Sequence, residues 1–190
     1  MLNANKKRGR FNCPFLRLVL ACAVLVGAIA GCSVGQLDLK TRQAVIMSGI
    51  NDPGLAGILN AAQDQYAHND YPAALDLFNQ AGHMAATPDQ QRQVGLLISQ
   101  YALDLYVQHR SLQALAYFES AATLHHKIDE PDSLIVDYSY LAKIRANLGR
   151  YTEAINDLGQ AIALQRRTGD RAGLATNLNN LANLHSYLGE

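Results

Sequence analysis

A forty-residue periodicity constrains this chain more than any other feature. Ala74, Ala114 and Ala154 stand forty residues apart, followed four positions later by Phe78, Phe118 and Leu158 and three further on by Ala81, Ala121 and Ala161. A second set runs through four copies: Ala62, Ala102, Ala142 and Ala182, each preceded by Ala61, Tyr101, Leu141 or Leu181, and before those Ile58, Ile98, Tyr138 and Leu178. Offsets of three and four place these residues on single helical faces. Repetition at a period of 20–50 residues marks an array of supersecondary units, none of which can bury its apolar face alone. Each unit reads as two amphipathic helices, with large side chains on one set against small alanines on the other, so that the axes approach closely.

The punctuation agrees. Asn69, His109, Gly149 and Gly189 recur at the same period and mark the turn inside each unit, where a left-handed backbone suits Gly and Asn and is tolerated by His. Thr87-Pro88-Asp89-Gln90 spells a capping box with Pro at the first helical position. Pro131 with Asp132 opens another helix, and Asp170 is an N-cap after Gly169. Helices are predicted near 53–68, 71–85, 88–108, 111–127, 132–148, 151–167 and 171–188. The fourth unit lacks its second helix before Gly189-Glu190. Two readings stand open: a natural end in which 171–188 caps the array, with Asn177, Asn179, Asn180, Asn183 and Ser186 as its solvent face, or a truncated member of a longer array, with Leu178, Leu181 and Leu188 left uncovered.

The N-terminus reads as an address. Lys6, Lys7, Arg8, Arg10 and Arg17 precede an uninterrupted small and apolar run from Leu18 to Ala30. As a helix, this run would span roughly 20 Å, short for a bilayer core of about 30 Å and suited to a signal-peptide h-region. Five of the chain's sixteen basic residues and none of its sixteen acidic ones lie in residues 1–31. The remainder therefore carries eleven basic against sixteen acidic side chains and is mildly acidic. That charge argues against nucleic acid, whose phosphates demand a basic face, and the absence of Trp argues against a base-stacking platform. Of Cys13, Cys22 and Cys32, the first two fall inside the predicted leader, so cleavage before Cys32 would leave one cysteine and no intrachain disulfide.

Ile29-Ala30-Gly31-Cys32 resembles the lipobox of bacterial lipoproteins. The resemblance implies cleavage before Cys32, diacylglycerol on its thiol and an acylated new N-terminus, several chains together giving stable anchoring. Ser33, where an aspartate would retain such a protein in the inner membrane, is similar to lipoproteins sent to the outer membrane and facing the periplasm. The expected organisation is a signal peptide over 1–31, a lipidated N-terminus and tether over 32–52 with a short helix across 40–47, and a repeat domain over 53–190, its units near 55–86, 88–128, 132–168 and 171–190, the last incomplete.

The second halves of the units (Tyr71-Pro-Ala-Ala-Leu-Asp-Leu-Phe, Ser111-Leu-Gln-Ala-Leu-Ala-Tyr-Phe and Tyr151-Thr-Glu-Ala-Ile-Asn-Asp-Leu) and the first half at Leu178-Asn-Asn-Leu-Ala-Asn-Leu-His-Ser-Tyr-Leu-Gly resemble the tetratricopeptide repeat (TPR). The departure is a period of forty rather than 34, which lengthens the helices. The resemblance implies an all-α solenoid of antiparallel helix pairs, about three and a half repeats, acting as a scaffold or adaptor that binds other proteins. It also implies a groove lined by the first helix of each unit: Gln100, Leu103, Tyr106 and Val107, then Tyr140, Lys143 and Asn147, then Asn180, Asn183 and Tyr187. Asparagine amides both donate to and accept from a peptide backbone, and tyrosines add apolar area with a polar handle. Alternatives are a sensor module taking a small molecule or glycan, and a remnant of a longer repeat protein.

No catalytic chemistry is expected. Phosphate-binding, nucleophile-elbow, dinucleotide and zinc-protease motifs are missing from the sequence. The adjacent His125 and His126 diverge by about 100° on a helix and read as surface residues near a helix end rather than a metal pair. Asp129, Glu130 and Asp132 read as helix capping rather than a cation site. No metal or cofactor is expected beyond the covalent diacylglycerol on Cys32.

Overall fold

The computed structural model describes residues 39–189, all of whose regular structure is helical. Residues 1–38, and with them the expected signal peptide and Ile29, Ala30, Gly31 and Cys32, lie outside the described residues. The described residues divide after Ser48 into two units. The first contributes α1 (Leu39–Ser48), where Ser48 Oγ donates to the Val45 carbonyl at 2.7 Å. Among the described residues no helix is long and apolar enough to cross a membrane.

The second unit holds α2 (Pro53–Ala67), α3 (Tyr71–Met84), α4 (Pro88–Val107), α5 (Ser111–Lys127), α6 (Pro131–Asn147), α7 (Tyr151–Thr168) and α8 (Arg171–Leu188). These are the helices that the periodicity predicts, with ends within a residue. They stack as pairs: α2 on α3, α4 on α5, α6 on α7, with α8 packed on α7.

Local chemistry starts and stops them. Asp52, Asp70 and Asp170 accept from the backbone amides of Leu55, Ala73 and Gly173, supplying partners that orphan N–H groups at a helix start lack. Thr87 and Gln90 form the reciprocal capping box, with Pro88 as first helical residue. The turns within pairs pass through left-handed backbone at Asn69 (φ 63°), His109 (φ 60°) and Gly149 (φ 75°), and Gly189 (φ 77°) takes the same conformation at the end of α8. A second left-handed column, Asp129 (φ 49°) and Gly169 (φ 78°), marks turns between pairs.

The repeated alanines form the contact seams: Ala62, Ala74, Ala81, Ala102, Ala114, Ala121, Ala154 and Ala161 have no exposed surface. Phe78, Phe118 and Leu158 fill the space between helices, and Ala154, Leu158 and Ile162 make the last core cluster with Ala142, against which Leu174, Leu181 and Leu184 of α8 pack. Three columns do not hold throughout. Ala61 is exposed, and so are Ala182 and Leu178 on α8, because α2 turns its Ala62 face to α3 and α8 packs on α7 through Leu174, Leu181 and Leu184.

Two further corrections concern polar residues. Asn177, expected on the solvent face of α8, is buried and donates to Ser139 and Gln165. His125, expected at the surface, has no exposed surface, whereas His126 is exposed. The reason is that α5 is sandwiched between α4 and α6, and Gly95 on α4 leaves the volume that the imidazole fills: a Cβ there would stand 2.5 Å from His125 Nε2.

Candidate functional site

Five of the predicted groove residues share one recess. Tyr106 from the last turn of α4, Lys143 and Asn147 from α6, and Asn180 and Asn183 from α8 surround a floor of Ala142, Ala146, Leu158 and Leu184, with a volume of about 210 Å³. The geometry follows from the repeat. Lys143 and Asn183 are forty residues apart, so they occupy equivalent positions on α6 and α8, and small residues at 142 and 146 keep the floor low. Lys143, Asn147 and Asn183 are exposed, Asn180 and Tyr106 half-buried.

The remaining predicted residues do other work. Tyr140 lies face to face with Phe118 (centroids 5.1 Å, 3° between planes) and receives the edge of Tyr106 at 5.4 Å. It is a packing residue that fixes the Tyr106 wall, and Lys143 Nζ sits 4.9 Å from its ring centroid. Such a cation–π contact contributes about 0.5–1 kcal/mol at an exposed site and orients the ammonium beside the recess. Gln100 and Leu103 are half-buried on α4 away from it, and Val107 is exposed. Tyr187 does not line the recess: it is 71% exposed and pairs with Tyr151 of α7, centroids 5.0 Å apart.

On another face, Glu119, Ala122, Thr123 and His126 of α5, Tyr138, Leu141 and Arg145 of α6, and Asp157 of α7 line a second depression. Its centre is Arg145, whose Nη1 donates to both Asp157 oxygens at 2.6 Å and whose Nη2 donates to Glu119 at 2.7 Å, with Glu153 at 3.3 Å from Nε. Burial pushes the Asp157 carboxyl up from its usual range against the pull of Arg145, and Glu153 and Glu119 push it further. Burial disfavours the Arg145 charge, but Asp157 and Glu119 outweigh it and raise its proton affinity. This clamp ties three helices together.

The acidic trio does not cap α6 as expected. Glu130 precedes the helix without a side-chain cap bond and accepts from Arg92 Nε at 2.8 Å. Asp129 occupies the left-handed turn and accepts from Arg167 at 2.9 Å. Asp132 sits in the first turn of α6, where its charge suits the positive end of the helix dipole. Among the described residues no three His, Cys, Asp or Glu side chains are grouped to hold a metal ion.

One constellation escaped the sequence reading. Ser99, His125 and Asp137 converge from α4, α5 and α6: Ser99 Oγ donates to Asp137 Oδ1 at 2.8 Å, and His125 Nδ1 lies 2.7 Å from Asp137 Oδ2. The three residue types are those of hydrolytic triads, but the order is wrong. The carboxylate is central and the hydroxyl proton is committed to it, so no base faces Ser99 as nucleophilic catalysis requires. Both His125 and Asp137 are sealed from solvent. The usable signal was that their positions forty residues on carry Ser139, Gln165 and Asn177, another polar set.

Stacked antiparallel helix pairs whose first helices share a recess define an α-solenoid of the helical-repeat class. Residues 134–190, covering α6, α7 and α8, match the family model of the tetratricopeptide repeat. That stretch of the chain is similar to the tetratricopeptide repeat, and α2–α5 carry the same helix-pair pattern at forty-residue spacing. No curated protein and no solved structure matched it. The tetratricopeptide repeat is a protein–protein interaction module and generally a non-enzymatic fold.

Proposed function

We propose that this protein is a lipid-anchored adaptor of the bacterial cell envelope, held to the outer membrane through Cys32 and facing the periplasm, and that its repeats take a peptide segment of a partner protein in the recess of Tyr106, Lys143, Asn147, Asn180 and Asn183. The observation that carries the reading is that the first helices of three successive units, α4, α6 and α8, contribute polar, accessible side chains to one open recess over an apolar floor. A volume of about 210 Å³ falls below the roughly 300–1,000 Å³ of drug-sized ligand sites; it suits one or two side chains of an extended peptide whose backbone meets the asparagine amides. The anchor rests on the sequence Ile29-Ala30-Gly31-Cys32 alone. No cofactor is required, and the acidic balance of the region after residue 31 disfavours nucleic acid.

Two measurements test this. Incorporation of an alkyne-tagged fatty acid should label the parent chain in bacteria and not Cys32→Ala; labelling that survives the substitution refutes the anchor. A photo-reactive residue at position 183 of the full chain should crosslink a partner that one at Leu112, an exposed position on α5, does not, and Asn180→Ala should weaken the crosslink. Crosslinking from position 112 alone refutes the recess.

A further inference from the structure

The junctions between successive helix pairs carry three equivalent positions, buried or half-buried. In the last of them, Asn177 Nδ2 on α8 donates to Ser139 Oγ on α6 and to Gln165 Oε1 on α7, both at 3.0 Å. Forty residues earlier the same positions hold Asp137 on α6, Ser99 on α4 and His125 on α5, bonded in the same pattern. Forty earlier again they hold Leu97, Leu59 and Ala85, all buried. One structural position is thus apolar in the first junction, ionisable in the second and polar but neutral in the third.

We propose that the α4–α5–α6 junction is a proton-operated joint: the His125–Asp137 pair holds one proton when the joint is closed, and losing that proton opens it. With one proton the pair is neutral overall. Without it, a carboxylate is left in the interior with only the Ser99 hydroxyl and a neutral imidazole beside it, and no opposite charge. A buried charge without compensation is strongly destabilising.

No neighbouring cation offsets that charge. From α4 the pair is met by Ser99, which is neutral; the nearest cation on that helix, Arg92, is engaged with Glu130 and Asp89. From α5, Glu119 is held by Arg145, and exposed His126 lines the separate depression. From α6, Arg145 is committed to Asp157 of α7, and Tyr138 is a neutral phenol whose ionisation burial and the Asp157 and Asp137 charges oppose. Burial pushes the Asp137 carboxyl up from its ordinary value, and only the bonds and charge of His125 and the bond from Ser99 act against it. The joint stands whether or not the recess is the binding site. Since α4 and α6 supply Tyr106 and Lys143 to that recess, opening the joint parts its walls.

The sign follows from proton counting. In an unfolded chain the two residues together carry one proton between roughly pH 3.9 and 6.5, the ordinary Asp and His values. Above that window the closed joint retains a proton that the open form has lost, so opening becomes easier as pH rises, by up to about tenfold per pH unit.

Hydrogen exchange of the full chain between pH 5 and 9, with amides of α4–α5 normalised to those of α7–α8, reads this directly. The neutral junction in the same molecule cancels the intrinsic pH dependence of exchange. The expected result is a relative opening of α4–α5 that climbs above about pH 6.5, toward tenfold per unit, and that flattens in His125→Gln/Asp137→Asn, which copies the neutral junction. A flat ratio in the parent overturns the proposal, as does a slope that persists in the double variant. Should that variant fail to fold, the ratio within the parent decides alone.

Discussion

At position 149 the turn between α6 and α7 has a φ of +75°, and a Cβ added there meets nothing within 4 Å. The only cost of a side chain is therefore the backbone itself, about 1–2 kcal/mol for an L-residue in left-handed conformation. Gly159 is the opposite case. It lies within α7, exposed, again with nothing within 4 Å of the added Cβ, so alanine removes only the entropic penalty of a helical glycine, about 1 kcal/mol. Gly149→Ala should therefore lower the urea-unfolding free energy by about 1 kcal/mol, and Gly159→Ala should raise it by up to about 1 kcal/mol. A shared sign would contradict the reading of either backbone. The first turn column was legible because its members are Asn, His and Gly at one spacing. Asp129 was not, since an aspartate next to Glu130 and Pro131 reads as a cap; its counterpart forty residues on, Gly169, was the clue to its left-handed backbone.

Helix boundaries were legible wherever a residue acts on its own neighbours. Thr87, Pro88 and Gln90 act within four residues, and the cap they spell is the cap that forms. Thr87→Ala should cost about 1 kcal/mol, read as a lower urea midpoint, and little change would mean that the α3–α4 connection holds α4 without its cap. What was not legible is polarity that serves packing between helices. On an amphipathic pattern a polar residue counts toward the solvent face, which is how His125 and Asn177 were misplaced; both are buried because a partner from another helix meets them at the junction. That partnership has an energetic signature. Asp137→Ala removes the acceptor of both Ser99 and His125 and leaves the imidazole sealed, which should cost about 3–5 kcal/mol, the range for breaking a buried pair from one side. Urea unfolding at pH 6 measures it, and a loss under 1 kcal/mol would mean that the pair behaves as a surface contact.

Across the whole molecule the repeat does two things with one lattice of positions. Each pair contacts only its neighbours, so stability is a sum of unit and interface contributions, and side chains in the interfaces are bound to the fold while others on the first helices border the recess. The sequence located the second group in outline: residues 143, 147, 180 and 183 do meet, but Tyr140 is drawn into the stack on Phe118 and Tyr187 turns to Tyr151, because aromatic rings at those columns find apolar neighbours that an amide would not. The two groups come within one helical turn of each other on α8. Asn177 is 3% exposed with its amide between Ser139 and Gln165, whereas Asn180 and Asn183 border the recess. Asn177→Ala strands the Gln165 carbonyl oxygen in the interior, at a cost of about 1–3 kcal/mol. Asn180→Ala with Asn183→Ala removes no interface contact and should stay within about 0.5 kcal/mol of the parent. Urea unfolding of the three chains side by side separates scaffold from recess: a double variant as destabilised as Asn177→Ala would assign the recess asparagines to holding the solenoid together, and they would no longer be available to a partner.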